Sequence, residues 1–147
     1  PSYGPEMRGG TANCGVVLSE DEIGSPVVAE ADVLVVMNQP SLSKFIDRIK
    51  PGGVLVYNSD MVEYSGERTD IVPVGVPAST VAAELGSDRI PNIILLGAVV
   101  ESSKIVADDV CIETIKEKLG TKKPKLLPMN LHAYERGKEI ARAVLGR

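Results

Sequence analysis

The stretch ADVLVVMNQPSLSKFIDRIKPGGVLVYNSD, residues 31–60, decides the fold. Val33 to Met37 form an unbroken apolar run, the pattern of a strand covered on both faces, as in a parallel sheet between helix layers. Leu42, Phe45, Ile46 and Ile49 then follow the spacing of one helical face. Pro40 sits where the first turn of that helix tolerates proline, and KPGG at 50–53 stops it. VLVY at 54–57 supplies a second buried strand. Strand, helix, strand is a βαβ unit, whose crossover is right-handed in nearly all proteins.

Downstream the alternation continues. The polar loop NSDMVEYSGERTD, 58–70, leads to a short strand in IVPV, 71–74, and Pro77 opens a helix running through Leu85 to a stop at Gly86. PNIILLGAVVESSK, 91–104, has the apolar content of either a buried strand or a buried helix. Asn92 as an N-cap and the small Gly97 and Ala98 favour a tightly packed helix. A helix is expected from Asp108 to Leu119, with Ile112, Ile115 and Leu119 on one stripe and Gly120 as its stop. The last is expected from Asn130 to Leu145, with Ala133, Gly137, Ile140, Ala141 and Val144 on one face.

Upstream, ANCGVVLS at 12–19 reads as a strand at an edge or with an antiparallel partner, because the acidic turn EDEIGSP follows at once. The expected fold is α/β: a three-layer, Rossmann-like sheet with helices on both faces. A doubly wound sheet usually begins with a strand and a helix. Here the text begins in a loop, so that first unit is expected to be lacking from the given sequence.

At 147 residues the chain suits one domain. Its 44% hydrophobic and 24% charged content is that of a globular protein. No apolar run reaches the roughly 20 residues of a membrane span, and no signal-peptide pattern opens the chain, so a cytoplasmic protein is expected. The net charge of −4 provides no basic face for nucleic acid. The basic cluster KEKLGTKKPK, 116–125, straddles a helix end, where cations complement the macrodipole; a docking spot for an acidic partner is the other reading. Cys14 and Cys111 stand 97 positions apart, without the clustering a zinc or iron–sulfur site needs, and both are expected to be buried as small apolar residues.

Three places offer polar groups for chemistry. SYGPEMRGG, 2–10, sets Glu6 and Arg8 beside Gly4, Gly9 and Gly10, which let backbone amides approach an anion. It has neither the GxGxxG nor the P-loop spacing, and its residues alone read as a solvated, turn-rich arm. Asn38 and Gln39 in MNQP, and Tyr57 to Asp60 in YNSD, fall at the C-terminal ends of predicted strands, where α/β folds bind ligands. Either set can hydrogen-bond a cofactor or cap the helix that follows. His132, the only histidine, falls off the apolar stripe of its helix and is expected to be exposed. No nucleophile, base and orienter stand at a motif spacing, so an independent enzyme built on His132 or Cys111 is the least supported reading.

Taken together, SYGPEMRGG, DVLVVMNQPSLSKF with IKPGGVLVYNSD, NIILLGA and the closing NLHAYERGKE resemble the gamma subunit of the 2-oxoacid:ferredoxin oxidoreductases, the group of pyruvate, 2-oxoglutarate, 2-ketoisovalerate and indolepyruvate enzymes. The match covers essentially the whole chain as a single gamma domain, 1–147. It departs at the front, where the family's strand and GxGGQG turn are absent, so the N-terminal part is expected to be missing. The resemblance implies a complex that decarboxylates a 2-oxo acid oxidatively, transfers the acyl group to coenzyme A and reduces ferredoxin. It implies thiamine diphosphate and iron–sulfur clusters on other subunits, and no cofactor resident in this chain. The implied partners are alpha and beta catalytic subunits, a ferredoxin-like subunit and ferredoxin. The isolated chain is open to homo-oligomerisation. Carried over from the family motif, Tyr3, Gly4, Pro5, Glu6, Arg8, Gly9 and Gly10 would line the subunit interface or a coenzyme A approach, with Arg8 facing a partner carboxylate or a coenzyme A phosphate. Asn38 and Asp60 complete the candidate set. The alternative is a stand-alone nucleotide- or coenzyme A-binding module without catalysis.

Overall fold

The computed structural model describes residues 12–25 and 27–147. Three parallel strands form its sheet in the order β1-β2-β3: β1 Ala31–Val36, β2 Ile49–Asn58 and β3 Val72–Val76. Val33 to Val36 of β1 face Val54 to Tyr57 of β2, and Val54 to Asn58 face Val72 to Val76 of β3.

Central strand β2 carries the expected apolar run. Leu55 points into one core with Val36, Leu42, Ile49, Val62 and Ile71. Val54 and Val56 point into the other with Val74, Val76 and the helices α2 Ala78–Glu84, α3 Pro91–Ser103 and α5 Leu127–Leu145. Both faces are therefore covered, as the sequence pattern requires. β1 departs from the expectation of burial on both faces. It lies at the edge of the described sheet, and Val35 remains 42% exposed while its neighbour Val36 is buried.

The βα crossover is shorter than predicted. Helix α1 spans Gln39–Phe45 and buries Leu42 and Phe45; Ile46–Arg48 then tighten into a 3-10 turn so that Ile49 enters β2. KPGG lies inside β2 as a bulge rather than after a helix. Pairing steps from Ala31↔Ile49 to Val33↔Val54, and Gly52 takes a φ of 82° that other residues resist.

The helical half confirms the choice of a helix over 91–104, but Ile90 is its N-cap and Pro91 its first residue, so the expected Asn92 cap is not used. Proline suits that position because its missing N–H is one the helix could not satisfy anyway. α4 runs Asp108–Lys122, through Gly120 rather than stopping there. Leu127 packs over Gly120, and a helix interior tolerates one glycine at a cost of about 1 kcal/mol. α5 begins three residues earlier than predicted, with Pro128 in its first turn.

The strand expected over 12–19 is absent: only Asn13 bridges, and Val16, Val17 and Leu18 lie exposed without a sheet to join. Cys14, expected to be buried, lies exposed with them, whereas Cys111 on α4 is buried. Among the described residues no helix is long and apolar enough to cross a membrane.

Helices α3 and α5 cross backbone to backbone. A Cβ on Gly97 would fall 2.1 Å from the Tyr134 carbonyl oxygen, and one on Gly137 would fall 1.8 Å from that of Ile94. Ala98, Ala133 and Ala141 continue this small-residue seam and are fully buried. Close approach of this kind maximises van der Waals contact along both helices.

Candidate functional site

The C-terminal edge of the sheet brings Asn38, Gln39, Asn58 and Asp60 to one side of the molecule, where parallel sheets present ligand sites. Each has an internal partner. The Asn38 side-chain oxygen accepts from Ser41 N at 2.9 Å and caps α1. Gln39 clasps the loop after β2, donating Nε2 to the Glu63 carbonyl at 3.1 Å and accepting from Glu63 N at 2.7 Å.

Buried Asn58 ends β2. Its Nδ2 donates to Ser79 Oγ at 3.0 Å, its Oδ1 accepts from Asp60 N at 3.2 Å, and its carbonyl accepts from the amides of Met61 and Val62. Asp60 is thereby aimed at the start of α2. Its carboxylate accepts from Thr80 N at 2.7 Å and from Thr80 Oγ1 at 3.0 Å, because Pro77 provides no side-chain cap of its own. Asp60→Ala is expected to cost about 1 kcal/mol, the usual value of a lost cap, read as a shift of the urea midpoint at unchanged slope.

At the start of α2 the Thr80 amide and hydroxyl are thus already taken by the Asp60 carboxylate, and α2 has only seven residues.

Sequence reasoning passed over the side chain that fixes the 59–71 loop. Arg68 donates Nη1 to the carbonyls of Ile46 at 3.0 Å and Ile49 at 2.7 Å, and forks onto Asp70 through Nε and Nη2 at 2.9 and 2.6 Å. The Arg68 hydrogen bond holds the Asp70 carboxyl below its usual range. Tyr64 OH closes the turn by donating to the Arg68 carbonyl, and the Tyr64 ring meets Tyr57 edge-on at 6.0 Å. The sole hint in the text is an Arg two places before an Asp.

A second polar cluster joins α3, α4 and α5. Lys138, buried on α5, reaches Asp108 at the start of α4 at 2.9 Å and Glu135 at 3.6 Å. Tyr134 OH donates to the same Asp108 oxygen at 2.7 Å. Buried Glu101 on α3 pairs with Lys104 at 3.0 Å and Arg142 at 3.2 Å, and its carbonyl accepts from Arg147. The Lys138 and Tyr134 hydrogen bonds hold the Asp108 carboxyl below the ordinary aspartate range. Burial pushes the Tyr134 hydroxyl well up, reinforced by Asp108, and burial raises the Cys111 thiol beside it. A shallow cavity of about 310 Å³ borders the cluster, lined by Glu101, Lys104, Asp108, Lys138 and Arg142. Each of its three cations meets a carboxylate, Lys104 and Arg142 sharing Glu101 and Lys138 reaching Asp108, which makes it a clamp between helices.

His132 is exposed on α5, as expected. Tyr3, Gly4, Pro5, Glu6, Arg8, Gly9 and Gly10 lie outside the described residues, as does Pro26.

Comparison with known proteins adds what the geometry leaves general. The chain is 39% identical to ketoisovalerate oxidoreductase subunit VorA of Methanothermobacter thermautotrophicus over 97% of its own length and 29% of that protein's. It is 34% identical to 2-oxoglutarate synthase subunit KorC of Methanothermobacter marburgensis, covering 95% of this chain and 76% of that one. The chain thus spans about three-tenths of the VorA relative and three-quarters of KorC.

Among solved structures, a keto/oxoacid ferredoxin oxidoreductase gamma subunit from Geobacter sulfurreducens shares the fold, with a TM-score of 0.77, 24% identity and coverage of 97% of this chain and 78% of that one. A 2-oxoglutarate:ferredoxin oxidoreductase from Magnetococcus marinus, with 2-oxoglutarate, coenzyme A and succinyl-CoA bound, matches 76% of this chain and 20% of that one with a TM-score of 0.66 and 29% identity. The family model for pyruvate ferredoxin/flavodoxin oxidoreductase matches residues 1–140. The chain belongs to the pyruvate ferredoxin/flavodoxin oxidoreductase family.

Proposed function

We propose that this chain is the gamma portion of a multisubunit 2-oxoacid:ferredoxin oxidoreductase. The complex decarboxylates a 2-oxo acid oxidatively, joins the acyl group to coenzyme A and passes two electrons to ferredoxin. The observation that carries the reading is the family match over residues 1–140, joined by similarity to KorC over three-quarters of that subunit. The same unit therefore serves as most of one subunit and as a minor part of longer proteins.

In this reading thiamine diphosphate and the iron–sulfur clusters sit on the alpha, beta and ferredoxin-like subunits, which supply the chemistry of carbanion stabilisation and electron transfer. This chain supplies a rigid α/β body, with its strand ends locked by Asn38, Asn58, Asp60 and Arg68. The complex works in the cytoplasm. Tyr3, Glu6, Arg8, Gly9 and Gly10 line the interface with the catalytic subunits, where the Arg8 guanidinium pairs with a carboxylate of a partner.

Arg8→Ala is the test of that last assignment. It is expected to weaken assembly of the complex, or raise its coenzyme A requirement, roughly tenfold, while leaving the melting temperature of the isolated chain unchanged. A complex that assembles and turns over as the unsubstituted one does would remove Arg8 from the interface.

A further inference from the structure

The helical half is held together in two different ways. Helices α3 and α5 meet backbone to backbone at Gly97 and Gly137, and α3 buries seven of its thirteen residues. Helix α4 buries only Cys111 and Ile115 of its fifteen, with Ile112 and Leu119 partly covered beside them. Much of its polar bonding stays internal. Lys116 pairs with Glu113, and the Thr114 and Thr121 hydroxyls donate to the carbonyls of Val110 and Glu117, all within α4.

What fastens α4 to its neighbours is its first residue. The Asp108 carboxylate meets Lys138 at 2.9 Å and accepts from Tyr134 OH at 2.7 Å, both on α5. Ala107 ahead of it offers no side-chain cap, and Val110 behind it is exposed. The cavity of about 310 Å³ opens at this same end, bordered by Val100, Val106 and Ala107, so close packing does not back the start of the helix. The segment is also bounded by two breaks in helical geometry. Lys104 ends α3 in the left-handed region with a φ of 56°, and Lys123 ends α4 at a φ of −140° and a ψ of 72°, just before Pro124. Residues at element ends are where hinges absorb backbone rotation.

From these observations we propose that residues 105–123 form a flap that opens as a unit while the α3–α5 seam stays closed, with Lys104 and Lys123 as its hinges and the Asp108 contact to Lys138 and Tyr134 as its latch. Few buried contacts and a polar fastening place an element at the low end of the stability range within a fold. The Asp108 carboxylate is half-exposed, so water can take over its part of the latch. The seam, by contrast, separates only by giving up backbone contact along both helices. Opening uncovers Cys111 together with Tyr134 and Lys138, the groups that α4 covers. Access to a buried thiol is thereby governed by one ion pair. The flap is a property of the fold and does not rest on the proposed function.

The test follows Cys111 as a reporter in the whole chain, with the exposed Cys14 replaced by Ser. Labelling of the thiol by a water-soluble disulfide reagent reads the open population, and hydrogen exchange at the Ala98 and Ala141 amides reads separation of the seam. In this Cys14→Ser parent, Cys111 should label at least tenfold faster than global unfolding allows. Its urea dependence should be much shallower than that of the seam amides, because opening exposes less surface. Asp108→Asn should speed labelling at least tenfold, and about 1 M sodium chloride should speed it severalfold by screening the latch. Gly137→Ala should speed exchange at the seam at least tenfold yet leave Cys111 labelling within twofold of the parent, since the seam is intact in both the closed and the open flap.

Cys111 labelling that shares the urea dependence of the seam amides, or rises with them in Gly137→Ala, overturns the flap, because α4 would then leave only when the whole core unfolds. Labelling within twofold of the parent in Asp108→Asn overturns it as well, since nothing would then be latched at Asp108. The urea comparison needs no substitution at the latch or the seam, so it decides the matter even where a variant fails to fold.

Discussion

Gly137→Ala is expected to lower the unfolding free energy by about 3 kcal/mol or more, the upper end of the cost of overpacking a core. The added methyl carbon would sit 1.8 Å from the Ile94 carbonyl oxygen and 3.1 Å from the Ala98 nitrogen. Those are backbone atoms, held in the hydrogen-bond ladder of α3 and unable to rotate away as a side-chain end would. Relief requires α3 and α5 to separate, which strips Ala98, Ala133 and Ala141 of their contacts and loosens the core that Val54, Val56, Val74 and Val76 share with the helices. Higher helix propensity of alanine returns only about 1 kcal/mol. The melting temperature should fall by roughly 6–12 °C, and Gly97→Ala should behave alike, since its methyl would meet the Tyr134 carbonyl. A drop below about 2 °C in both variants would show that the helices do not cross at these glycines.

Asp108→Ala is the second large effect, expected at about 3 kcal/mol. It strands the buried Lys138 ammonium with only Glu135 at 3.6 Å, and it leaves the fully buried Tyr134 hydroxyl without its acceptor. Asp108 itself is half-exposed, but the Lys138 side chain it pairs with is buried, so removing the carboxylate leaves a desolvated charge behind. Lys138→Met in the same chain should therefore restore much of the loss, and a double-mutant cycle would show strong coupling.

The pH dependence has a definite sign. Because the folded state holds the Asp108 carboxyl below its ordinary value of 3.8, its contribution is fully present above that pH and is lost as pH falls through the depressed value. Glu101 acts in the same direction: burial alone would raise its pKa, but hydrogen bonds from Lys104 and Arg142 outweigh this and hold it below 4.5. Urea midpoints measured from pH 6 down to pH 3 should fall for the parent chain and fall less steeply for Asp108→Asn.

The layer architecture was readable because its signals are local. Val54 to Tyr57 announce a buried strand by composition, and the small residues at 97 and 98 choose helix over strand for an otherwise ambiguous run. Boundaries were less readable where two residues can serve one role. Ile90 and Pro91 start α3 without help from Asn92, and Leu127 covers Gly120 so that α4 continues past it. The strand over 12–19 failed for a different reason, since a strand needs an edge as well as a composition.

Of the candidate site, Asn38 could be read as a cap because its partner lies three residues on. Asp60 and Thr80 stand 20 positions apart, Arg68 and Ile46 22, and Tyr134 and Asp108 26. Contacts of that separation are set by topology and leave no periodic trace in the text. The opening motif Tyr3 to Gly10, outside the described residues, rests on its family resemblance alone, since glycines beside charges describe an arm as well as an interface.

Under the proposed function the chain contributes to oxidation of a 2-oxo acid as one part of a larger complex. Its most direct measurement is coenzyme A-dependent reduction of ferredoxin or a viologen dye with pyruvate, 2-oxoglutarate and 2-ketoisovalerate, using the purified chain, the other subunits without it, and the two combined. Turnover is expected in the combined sample alone, on at least one of the three substrates. Turnover by the chain by itself, or undiminished turnover by the other subunits in its absence, would contradict it.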